Sequence, residues 1–122
     1  MNLRKRVLIA AAMAVCLVTG SRAYAACYES GEKLVDELNV CEKMNGGKAT
    51  VKQVYACAKA TGYIQGIADA LDGKDFERTN PFTSAQLKAV VLKALKDRAS
   101  ETNLCADVLV REALTATFPK PQ

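Results

Sequence analysis

The chain has 122 residues, with 17 Lys or Arg against 13 Asp or Glu, and no His. The missing imidazole removes the usual general base at neutral pH, the Ser-His-Asp and Cys-His nucleophile systems, and the commonest zinc ligand. The positive balance sits almost wholly at the N-terminus, so it gives no case for nucleic acid or an anionic membrane as partner.

Residues 1–25 have the pattern of an export signal. Arg4, Lys5 and Arg6 form a basic start, Val7 to Val18 is apolar, and Ala23-Tyr24-Ala25 offers the small-x-small site that a signal peptidase cuts. The apolar run is shorter than the roughly 20 residues that a membrane span needs. Cys16 belongs to this run and lacks the context of a lipidated Cys. Removing the leader takes four of the 17 basic residues and no acid, leaving 13 of each sign in one domain, residues 26–122. After cleavage no membrane association is expected, and the predicted location is the periplasm.

Four cysteines remain: Cys27, Cys41, Cys57 and Cys105. An even count in an exported domain indicates two disulfides, and three connectivities are possible. Cys41–Cys57 with Cys27–Cys105 is favoured, because an antiparallel hairpin of the first two helices brings Cys41 and Cys57 to similar heights. Loops of these lengths stabilise by roughly 3 and 4.5 kcal/mol on the chain-entropy model. No close Cys-x-x-Cys pair suggests zinc, and no cofactor is expected.

No strand pattern occurs, while helical spacing occurs four times. The first helix is predicted from Gly31 to Met44, with Ser30 as N-cap, Leu34, Leu38, Cys41 and Met44 inward, and Asn45-Gly46-Gly47 as its stop. The second runs from Val51 to Leu71 behind a Thr50/Gln53 capping box. Val54, Cys57, Ile64, Ala68 and Leu71 form its predicted apolar face. Ala58, Gly62, Gly66 and Ala70 add a stripe of small residues. Two glycines inside a helix cost about 1 kcal/mol each against Ala, which predicts close approach of another helix. Asp72 to Phe82 is a loop, stopped by Asp72-Gly73 and kept open by Asn80-Pro81. The third helix follows a Thr83/Gln86 capping box and runs to about Arg98, burying Leu87, Val90, Val91, Ala94 and Leu95. The fourth starts after Thr102 or Asn103 and runs to about Thr117, with Leu104, Val108, Leu109, Ala113 and Leu114 inward. The expected fold is an all-α bundle of about four helices stapled by disulfides.

Catalytic patterns are thin. Asp69, Asp72, Asp75 and Glu77 offer carboxylates of the kind a glycosidase pairs, but their grouping reads as a solvated helix end. Gly46-Gly47 follows a helix rather than a strand, so it is a turn and not a phosphate loop. The chain is expected not to be an enzyme.

The stretch from Cys57 to Ala70 resembles the signature helix of the Rap/Tai immunity proteins, with Tyr63, Gly66 and Asp69 on its Tyr-x-x-Gly-x-x-Asp pattern. Thr83, Gln86, Leu87, Val90, Val91 and Leu95 are similar to the family's next helix, and Val108 to Pro119 to its ending. Cys57 stands one turn earlier than the usual family Cys, whose place holds Ala60, and Cys27 and Cys105 occupy positions of their own. The resemblance implies a non-catalytic protein, often a homodimer, that blocks a cell-wall amidase effector delivered by type VI secretion. It implies a protruding loop as the plug, for which Asp75, Phe76, Glu77, Arg78 and Asn80 are the candidates. The alternative is a small periplasmic stress protein or acid chaperone that opens by self-repulsion when its carboxylates protonate.

Overall fold

The computed structural model describes residues 26–44, 47–78 and 82–120. The leader, the Asn45-Gly46 stop, Asn80-Pro81 and Pro121 lie outside the described residues. Among the described residues the fold is built from four α-helices, α1 Gly31–Lys43, α2 Val51–Leu71, α3 Ser84–Asp97 and α4 Ala106–Thr117, with a 3-10 turn at Ala99–Glu101. No described helix is long and apolar enough to cross a membrane.

The helix starts follow from side-chain capping. Ser30 accepts from the Lys33 N–H, and the Thr50/Gln53 and Thr83/Gln86 boxes are both complete. Each supplies a partner for backbone donors that the first helical turn leaves free. The end of α2 comes where Gly73 takes φ +77°, which an L side chain rarely adopts. The Gly73 N–H then donates to the Phe76 carbonyl at 2.8 Å, curling the loop back on itself.

Cys41 meets Cys57, Glu37 meets Lys59, and Tyr28 meets Tyr63. Partner numbers in α2 rise as those in and before α1 fall, so the two segments run antiparallel. The core between the helices holds Leu34 and Leu38 of α1, Ala60, Ile64 and Ala68 of α2, Leu87, Val91 and Leu95 of α3, and Leu109, Val110 and Leu114 of α4. Burial of such side chains contributes about 1.5–3 kcal/mol each and is the main cohesive force. Phe76 closes one end from the loop, with no exposure at all, and Phe118 sits between it and Phe82 at ring separations of 6.2 and 4.5 Å.

The two disulfides join Cys27 to Cys105 and Cys41 to Cys57, with Cα separations of 5.3 and 5.0 Å. The first changes the start of the last helix from the sequence expectation. Cys105 is extended and tied to Cys27, so α4 begins at Ala106. The Ala106 N–H donates to the Glu29 carbonyl at 2.9 Å, and the Gly31 N–H to the Leu104 carbonyl at 2.9 Å. The segment 26–30, the N-terminal arm, thus caps α4 in place of a side chain. With residue 104 outside the helix, Leu104 is exposed rather than buried, and so is Val108.

A second correction concerns the small stripe of α2. Ala58, Gly62, Gly66 and Ala70 face outward, and among the described residues nothing lies within 4 Å of a Cβ built at Gly62 or Gly66. Val54, expected inside, is exposed on the same helix. Close approach occurs instead at Gly31, where a Cβ would press on Leu109 Cδ1 and come within 2.8 Å of the Thr102 carbonyl. Gly31→Ala should therefore cost roughly 1–3 kcal/mol by overpacking. Phe76→Ala should cost about 3–5 kcal/mol by opening a cavity. Chemical denaturation of the two oxidised variants checks both, and an unchanged midpoint in either would contradict the packing described.

Candidate partner-binding surface

The loop after α2 holds the residues expected to contact a partner, and the structure keeps the four described ones, Asp75, Phe76, Glu77 and Arg78, on the body. Phe76 is an interior side chain, so it cannot serve as the exposed aromatic anchor that the sequence suggests. Its carbonyl closes the turn by accepting from the Gly73 N–H, and its ring is wholly buried. Asp75 is exposed and pairs with Arg111 at 3.3 Å, while the Glu77 N–H donates to the Phe118 carbonyl at 3.2 Å. Arg78 folds back on α2. Its backbone N–H and Nε donate to the two Asp72 carboxylate oxygens at 3.1 and 2.9 Å, and its Nη2 donates to Asp69 Oδ1 at 3.0 Å. The Arg78 backbone N–H, then its guanidinium, hold the Asp72 carboxyl below the ordinary carboxylate range. Asn80 lies outside the described residues.

The three motif residues of α2 separate in role. Asp69 anchors Arg78. Tyr63 is partly buried against the core, and burial pushes its pKa upward. Gly66 is on the open outer face.

A different group of residues converges where the N-terminal arm crosses α1 and α2. Glu29 is only 2% exposed, yet it carries a carboxylate. Lys59 of α2 donates to Glu29 Oε2 at 2.6 Å and to Glu37 Oε1 of α1 at 2.9 Å. Lys33 Nζ stands 3.6 Å from the other Glu29 oxygen. Glu29, and then Glu37, hold Lys59 protonated well above its ordinary range. Burial of one carboxylate is unfavourable unless a cation compensates it, so Lys59 is what permits Glu29 to sit inside.

Next to this cluster lies a groove of roughly 450 Å³ lined by Tyr28, Lys33, Glu37, Lys52, Tyr55 and Lys59. The two tyrosines are 81% and 70% exposed, and Val51 and Val54 continue the apolar surface along α2. The sequence reading missed Tyr28, Glu29, Tyr55 and Lys59. The signal available was Val51-x-x-Val54-Tyr55 at the start of a helix whose core stripe begins only later, which leaves apolar residues on the outer side.

These features define a small disulfide-cross-linked helical domain whose exposed chemistry suits binding. The family model of the Rap1a immunity proteins matches residues 19–119. The chain therefore belongs to the Rap1a immunity protein family, which implies a non-catalytic inhibitor of a cognate effector. No curated protein matches it in sequence.

Two measurements test the charge clusters. Lys59→Met leaves two carboxylates without their shared cation and should lower stability by about 3 kcal/mol, the low end for breaking a buried pair because Lys59 stays 20% exposed. Glu37→Gln, which keeps Lys59 bonded to Glu29, should cost clearly less in the same urea titration. For Asp72 the folded pKa is depressed, so its contribution is complete above the unfolded value and disappears as pH falls through the folded one. The melting-temperature gap between the parent and Asp72→Asn should be constant above about pH 5 and close at more acid pH. A gap that widens in acid would show the clamp to be misassigned.

Proposed function

We propose that this chain is an exported immunity protein that binds a peptidoglycan amidase effector delivered by type VI secretion and blocks it in the periplasm. Residues 1–25 are the leader, and residues 26–122 form the working domain. The observation that carries this is the family match over residues 19–119, which takes in nearly all of the working domain. Two disulfides use all four cysteines of the working domain, which suits an oxidising compartment. The protein acts by shape: a cross-linked bundle keeps its surface fixed and loses little conformational freedom on binding. The same family membership favours toxin neutralisation over an acid-chaperone role. A homodimer fits this picture, with the outward stripe Ala58, Gly62, Gly66 and Ala70 as its flat seam.

The deciding experiment mixes the oxidised, leader-free chain with purified type VI peptidoglycan amidases and follows release of cell-wall peptide. Stoichiometric loss of the activity of one of these enzymes is expected, together with a stable complex on gel filtration. Full amidase activity throughout, with no complex, would end the proposal. Light scattering across concentrations tests the seam, and a mass fixed at one chain would remove the dimer.

A further inference from the structure

We propose that the groove between Tyr28 and Tyr55 is the surface that grips the effector, and that it receives a segment of that protein carrying a carboxylate beside an apolar side chain. The assignment rests on the immunity role above and places its contact away from the Asp75–Arg78 loop. That loop has its aromatic ring inside the core and its arginine bonded to Asp69 and Asp72.

The chemistry of the groove selects the occupant. Its walls are two tyrosyl rings standing largely in water, in a protein with few aromatics. Tyrosine offers a broad rigid contact and a hydroxyl at little entropic cost, which is why it recurs at the centres of interfaces. Of the three lysines that line the groove, Lys59 is committed to Glu29 and Glu37, and Lys33 faces Glu29. Lys52 makes no ion pair among the described residues. With Glu29 and Glu37 counted against the three lysines, the site keeps one positive charge. An incoming carboxylate meets Lys52 at the rim, and an apolar side chain beside it packs between the rings.

The groove is also built in advance. Tyr28 lies between Cys27, which is bonded to Cys105, and Glu29, which is bonded to Lys59. Its ring stacks on Tyr63 with centroids 6.2 Å apart and planes 17° from parallel. Tyr55 stands on the second turn of α2, two residues before Cys57, whose disulfide ties that helix to α1. The backbone beneath both rings is therefore fixed before the partner arrives, which lowers the ordering cost that usually reduces affinity.

The test measures the dissociation constant between the oxidised chain and the amidase that it neutralises, by isothermal titration. Tyr28→Ala and Tyr55→Ala should each weaken binding at least tenfold. Lys52→Glu should weaken it by a similar factor, less so in high salt, and Lys52→Arg should keep it. Glu77→Ala on the loop and Lys93→Glu on α3 should stay within twofold of the parent. If Tyr28→Ala proves to lower the melting temperature, Tyr55→Ala and Lys52→Glu decide, since both sit on a regular helix outside the arm. Parental affinity in those two variants overturns the groove and leaves the immunity role standing. A parent chain that binds no amidase overturns both.

Discussion

Lys59 stands between two carboxylates and so ties three separate parts of the chain together. Glu29 comes from the N-terminal arm, Glu37 from α1, and the ammonium from α2. The arm contributes one buried residue, and that residue is charged. Burying a carboxylate opposes folding unless its partner is in place, and apart from the stack of Tyr28 on Tyr63 little apolar contact holds residues 26–30 down. Their position follows from the ion pair, from the Cys27–Cys105 bond and from the backbone bond between Glu29 and Ala106. Because the arm also caps α4, the register of the last helix depends on the same contacts.

The helical body was legible from residue spacing and capping chemistry. The Thr50/Gln53 and Thr83/Gln86 boxes placed the starts of α2 and α3, and Asp72-Gly73 placed the end of α2, because each depends on local backbone needs alone. The errors cluster where a tertiary contact overrules the local pattern. Leu104 and Val108 continue a plausible helical stripe, but the bond to Cys27 draws Cys105 into an extended conformation and delays α4. Ala58, Gly62, Gly66 and Ala70 follow the spacing of a helix contact, yet a spacing does not say which side of the helix the other helices occupy. Ile64 and Ala68 outweigh the stripe in apolar area, and they turn it to solvent.

The site was less legible than the fold. Composition drew attention to Asp75-Phe76-Glu77-Arg78, a loop with an aromatic residue between charges. A loop aromatic has two fates, outward to a partner or inward to the core, and composition does not separate them. Here the left-handed Gly73 and the Asp72–Arg78 pairing close the loop and leave Phe76 one direction, toward Phe118. Glu29 and Lys59 are 30 residues apart, and nothing in either's neighbourhood marks it as half of a pair.

The two disulfides therefore do different work. Cys41–Cys57 joins two helices that already share a core through Leu38, Ala60 and Ile64, so it reinforces packing that apolar burial also favours. Cys27–Cys105 fixes a segment that has no such burial and that carries Tyr28 to the rim of the groove. A bond that secures a segment lacking a core of its own decides where that segment lies, whereas one that secures a packed hairpin mainly raises stability. The exposed chemistry of this protein is gathered beside the first kind. An inhibitor that acts by shape needs its contact surface held at least as firmly as its core, and here covalent and ionic contacts supply what hydrophobic packing does not.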